Sequence, residues 1–187
     1  MSPRAFVFAG GEKGAFRVTR MEAIVGETLP SVSRIAMLPG IVPVGDERAR
    51  WFLRGTTSND RYVTRVEKEK LVARSPDLGR PAATSAALIP IRKSSAWWAM
   101  TQDERRNVFE EQSHHTEIGL RYLPAVARRL HHCRDLGSDE PFDFLTWFEF
   151  APSDERVFDE LVTALRDSPE WRYVEREVDI RLVREER

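Results

Sequence analysis

Cysteine is almost missing: Cys133 is the only one among 187 residues, so no internal disulfide can form and a cysteine-built metal site is excluded. Any metal has to be held by histidine, by carboxylates or within a cofactor. An excess of one charge is missing too. Twenty-nine lysines and arginines face 30 aspartates and glutamates, so no global field draws the chain to nucleic acid or to an anionic membrane, and a small molecule is the expected partner. No run of eighteen apolar residues occurs, which leaves no transmembrane helix to expect. The short apolar stretch in residues 1–11 is closed by Glu12 and Lys13 before a signal-peptide core forms, and a cytoplasmic protein is expected. The length suffices to bury a real core, in one large or two small domains.

What is present is clearest in the second half. Residues 87–91 read as a short apolar strand ending in the basic pair Arg92-Lys93. Thr101 and Glu104 have the spacing of a capping box, and Val108, Glu111, His115 and Ile118 then recur at helical spacing, which predicts one helix carrying His115 up to the break at Pro124. Residues 125–133 alternate as a strand, with Val126, Arg128 and Leu130 on one face and Arg129 pointing outward. Residues 142–150 are an aromatic strand ending at Pro152. Ser153 and Asp154 can cap a second helix, in which Val157, Phe158, Leu161, Val162 and Leu165 form one apolar stripe. Residues 171–183 alternate as a last strand.

That order, βαββαβ, is the signature of a ferredoxin-like unit. The first half repeats it less cleanly, with extended segments at residues 5–8 and 15–20 and a strand pair within 51–67. Loops are expected at 38–45 and 75–83, the second a natural junction. The expected fold is α+β, two ferredoxin-like units with antiparallel sheets, divided as 1–82 and 83–187.

Four histidines stand in two adjacent pairs, His114-His115 and His131-His132, and at most one of each is expected to face the core. Without zinc-type spacing such as HExxH, surface or satisfied core histidines account for them. A single imidazole in an apolar pocket would nevertheless suffice for a heme iron. Arg128 on an inward face needs something negative opposite it, although a one-residue slip would exchange its role with Arg129. Lys93, Trp97 and Trp98, with Tyr62, could hold a cofactor carboxylate or simply plug the core with aromatic rings. Glu170, read alone, is a surface acid.

The stretches IPIRKSSAWW (89–98), EEQSHHTEIGLRYLPAVARRLHHCRDLG (110–137), DFLTWFEFAP (143–152) and EWRYVEREVDIRL (170–182) closely resemble chlorite dismutases. The resemblance covers the carboxyl-terminal half, and the short chain looks like the compact, dimeric branch. It implies a dimeric α+β barrel binding heme b in its second half, the first half being without cofactor. His115 matches the proximal iron ligand, Arg128 the distal arginine, and Glu170 the acid that accepts the proximal imidazole's N–H. Lys93 matches a position that meets a heme propionate, with Trp97 and Tyr62 alongside. The implied activity is conversion of chlorite to chloride and dioxygen. A coproheme decarboxylase of heme biosynthesis, a heme peroxidase, a non-catalytic heme-binding protein and a ferredoxin-like dimerisation module are the alternatives, and Arg128 argues against the first.

Overall fold

The computed structural model describes residues 4–41, 48–57, 61–137 and 139–185. Eight strands, β1 (Ala5–Gly11), β2 (Phe16–Val25), β3 (Arg34–Pro39), β4 (Trp51–Thr57), β5 (Ser85–Lys93), β6 (Ala127–His132), β7 (Phe144–Phe150) and β8 (Val174–Arg184), close into one barrel in the order β1-β3-β2-β8-β5-β7-β6-β4. Every pairing is antiparallel. Among the described residues five α-helices accompany them: α1 (Arg65–Arg74), α2 (Ser95–Ala99), α3 (Gln102–Arg106), α4 (His115–Arg121) and α5 (Glu155–Arg166).

Side chains alternate across a strand, so each strand of the second half serves two cores. Leu88, Leu145, Trp147, Ile180 and Leu182 point into the barrel against Phe8, Phe16 and Leu53. Their neighbours Ile89, Ile91, Phe144 and Phe148 point the other way, under Phe158, Leu161, Val162 and Leu165 of α5. Each of those four α5 side chains stabilises the layer by about 1.5–3 kcal/mol. The β4–β6 seam is short, pairing Thr56 with His132 and Thr57 with His131. Gly55 lies beside it, where a Cβ would stand 2.7 Å from the Cβ of His131, so only glycine lets the imidazole cross there.

Three expectations are corrected. The second strand expected before Glu67 is instead the start of α1: Thr64 and Glu67 close a full capping box, and two reciprocal bonds favour a helix there. Among the described residues the first half has this one helix, after its fourth strand. The helix expected over 101–124 is broken: α3 passes into a π-helical turn at Asn107–Gln112, and His114, at φ 52, stops it before α4 starts at His115. The last strand starts at Val174, because Pro169–Tyr173 forms a 3₁₀ turn. Of the expected 38–45 loop, residues 42–45 lie outside the described residues, as does Ser138 in the turn expected at 137–139.

Candidate active site

Lys93 ends β5, His115 opens α4, and Glu170 sits in the 3₁₀ turn before β8. These three elements meet. The Nδ1 of His115 lies 2.7 Å from Glu170 Oε2, and Lys93 Nζ donates to Glu170 Oε1 at 2.8 Å. The Glu170 amide donates to Ser113 Oγ, which fixes the turn against the break that precedes α4. Burial works to raise the Glu170 pKa, but the charges of Lys93 and His115 and their hydrogen bonds outweigh it and hold it at about 2. An ionised Glu170 accepts from an Nδ1–H, and in the neutral ring that tautomer has its lone pair on Nε2. The Lys93 ammonium is sandwiched by the indoles of Trp97 at 4.6 Å and Trp171 at 5.4 Å. Its carboxylate partner in this structure is Glu170.

Arg128 stands on the helix-facing side of β6 with Val126 and Leu130, and all three line the cavity that holds His115. Counted with its open mouth, the cavity spans about 1260 Å³, and its walls are mostly apolar, with Ile89, Phe148, Leu161 and Val162 among them. The Arg128 guanidinium forms no hydrogen bond or ion pair with any described residue, and burial alone pulls its pKa down. It still carries its charge, so the cavity presents an unmatched cation among apolar walls. Gly119, one turn after His115, borders it: a Cβ there would lie 3.9 Å from Arg128 Nη1.

The other sequence candidates fall into two groups. Tyr62 and Trp97 line the same cavity, edge to face at 5.9 Å. His114 is turned away, 3.8 Å from Glu117 with both side chains mostly exposed. Trp98 packs on Phe144 and donates to Asp143 at 3.2 Å. Two readings change. Arg129 does not point outward to solvent; it lies half-buried over the Phe6 ring at 4.8 Å. His131 and His132 are both buried rather than one of them, because the sheet has a core on each face.

Whether these residues suit a heme can be judged on the donor set. Among the described residues no three His, Cys, Asp or Glu side chains gather as a protein cage for a metal. One imidazole with Nε2 available, a large apolar cavity and an unmatched cation suit instead an iron carried by a macrocycle. Trp97 Nε1 and Thr116 Oγ1, both cavity-lining and buried, have no hydrogen-bond partner. Buried polar groups are almost always paired, so a ligand in this space accounts for both. The residues fit the group.

The sequence model of the family described as Chlorite dismutase matches residues 45–185. The chain belongs to the chlorite dismutase family. Among solved chlorite dismutases, the dimeric protein from Nitrobacter winogradskyi is 54% identical, with a TM-score of 0.88 over 96% of this chain and 99% of that one. The chlorite dismutase of Candidatus Nitrospira defluvii, solved with imidazole, is 28% identical, with a TM-score of 0.57 over 72% of this chain and 55% of that one. The chlorite dismutase of Ideonella dechloratans is 34% identical over 130 residues, 65% of this chain and 40% of its own length. The eight-stranded antiparallel barrel with accompanying helices is thus the chlorite dismutase fold.

Several residues the site depends on carry little mark in the sequence. Asp143 accepts from the Lys93 amide at 2.7 Å and from Trp98; an acid opening an aromatic strand was its one signal. Trp171 donates to the buried Glu177 at 2.7 Å, and Glu177 is held by Arg166. Phe109 stacks on the His115 ring at 4.2 Å, and nothing in the helical periodicity marks it.

Proposed function

We propose that this protein binds heme b and converts chlorite to chloride and dioxygen, with His115 as the iron ligand and Arg128 as the residue that binds the anion. The observation that carries this reading is the unmatched Arg128 guanidinium in an apolar cavity shared with the Glu170-bound His115. Bound heme would supply a redox-active iron open to an anionic ligand.

The protein's part rests on its own groups. Glu170 takes the Nδ1–H of His115, which fixes the tautomer and makes Nε2 the more basic donor. Lys93 neutralises the second Glu170 oxygen and keeps the carboxylate ionised. Chlorite going to chloride and dioxygen neither takes up nor releases a proton, so the open side needs a cation rather than an acid–base group. Arg128 supplies charge-assisted donors to a small oxyanion. Val126, Leu130 and Phe148 exclude water that would compete for them. Trp97 and Tyr62, which line the cavity, are assigned to the cofactor's periphery, and Lys93, which also lines it, reaches the cofactor's side of the site through its bond to Glu170.

The finer architecture belongs to the same reading. Strand order β8-β5-β7-β6 in residues 83–187 and β4-β1-β3-β2 in residues 1–82 supports two ferredoxin-like units, the second carrying the cofactor. The dimeric relative supports a homodimer. No helix among the described residues is long and apolar enough to cross a membrane.

An oxygen electrode tests the activity. Heme-loaded protein should release dioxygen on addition of chlorite, and Arg128→Ala should release it more slowly while keeping heme. A heme protein that releases none would overturn the reading.

A further inference from the structure

We propose that Phe109, braced by Tyr62, is a positioning residue that fixes the plane of the His115 imidazole, and that the first half of the chain acts on the site through this brace. The proposal rests on His115 being the iron ligand. The hydrogen bond from Nδ1 to Glu170 sets one direction of the ring but leaves it free to turn about that axis. Phe109 removes this freedom. Its ring lies 4.2 Å from the imidazole at an interplanar angle of 20°, a face-to-face contact that any such turn would lose. Phe109 reaches that place because residues Asn107–Gln112 form a π-helical turn. The wider turn rotates the side chains after Arg106 away from the α-helical stripe, and such turns are frequent at functional sites.

The Phe109 ring also meets Tyr62, with centroids 5.6 Å apart and the ring planes tilted by 46°. Tyr62 adopts φ 65, a left-handed conformation unfavourable for a bulky residue, which the surroundings must therefore impose. They do so from three sides. Arg106 donates to its backbone carbonyl, Arg105 Nη1 donates to its hydroxyl at 3.4 Å, and Trp97 meets its ring edge to face. Arg106 is itself held by a two-pronged bond to Glu67, at 2.9 and 2.8 Å. Glu67 also closes the amino-terminal cap of α1 through the Thr64 amide. A continuous line thus runs from the cap of α1 through Arg106, Tyr62 and Phe109 to the ligand ring, joining residues 62–67 to a helix of the second half.

Resonance Raman of the ferrous heme protein reads the result through the iron–histidine stretching band. Phe109→Leu keeps bulk but loses the flat face; the band should broaden or split, and heme transfer to excess apomyoglobin should quicken about 2- to 10-fold. Phe109→Tyr should restore a single narrow band. Glu67→Gln, far from the iron, should broaden it in the same direction and less, and it decides the matter should Phe109→Leu fail to fold. An unchanged band in Phe109→Leu or, in that case, in Glu67→Gln, accompanied only by a lower Tm, would overturn the brace. A parent protein without the band, or one whose band survives His115→Ala, would instead overturn the ligand assignment beneath it.

Discussion

One strand, β6, carries two arginines and two histidines in nearly matched positions, and its two faces put them to different use. On the helix-facing side Arg128 lines a cavity and finds no partner among the described residues, while His132 meets Phe144 edge-on at 5.1 Å beside that same cavity. On the barrel side Arg129 lies over Phe6, near the charge of Glu149, and His131 is wedged between Phe6 and Phe8 with Nδ1 bonded to the Leu145 carbonyl at 3.1 Å. The barrel interior is filled by large rings such as Trp147, whereas the helix layer is held open. The proposed function sits on the face that is left unfilled, where Arg128 lines a cavity, while its neighbour of the same type packs on a ring. The difference is one of space and partners rather than of chemistry.

Variants put that contrast to the test. His115→Ala should have the largest effect, losing heme on gel filtration with an affinity drop of more than about 100-fold, since even supporting partners of a metal ligand are worth about 10–100-fold. Heme retained at parental affinity would remove His115 from its role. Glu170→Ala leaves the Lys93 ammonium buried without its carboxylate, so stability should fall by about 3–5 kcal/mol in denaturant titration. Losing the Glu170 bond makes Nε2 less basic and should raise the ferric/ferrous potential, and adding Lys93→Met should recover much of the stability while leaving that potential raised. The two arginines give the direct test of the two faces. Arg128→Ala should cut oxygen release about 10- to 100-fold, the worth of hydrogen bonds to a charged group, and Arg129→Ala should leave it nearly unchanged. Equal losses would erase the distinction.

A further expected effect, confined to acid pH, concerns His131 and shows in the acid limb of stability. Burial first, then the neighbouring charges of Arg129 and His132, push its pKa from 6.5 down to about 4 against the opposing bond to Leu145. The unfolded chain therefore binds a proton below pH 6.5 that the folded barrel refuses. The contribution is fully present above pH 6.5 and is lost as the pH falls towards 4, by about 3 kcal/mol in all. His131→Phe should flatten thermal stability against pH across that window. A variant with the parental slope would show that the barrel takes up the proton without cost.

The sequence made the alternation of β6 legible, and with it the side on which Arg128 stands, because a period of two leaves only two choices. It made the capping box at Thr101 legible for the same local reason. The break at His114 was not, since a left-handed histidine imitates no motif and helical spacing runs straight through it. Reading one core per sheet hid the burial of both His131 and His132: a closed barrel under helices has two. Glu170 looked like surface because its partners, Lys93 and His115, lie 77 and 55 residues away. Long-range pairs of this kind leave no local pattern, and only the resemblance to the family brought them together.

Closing the barrel has a consequence for how copies of this chain can meet. An open sheet offers a row of unpaired amides and carbonyls on which another chain can lay a strand. Here β1, which would end an open sheet, is flanked by β3 and β4, so neither of its sides is offered. Among the described residues the seams that leave backbone edges are β2–β3 and β4–β6, each joined by two residue pairs. A strand from another copy would find room beside those seams, and none along β1.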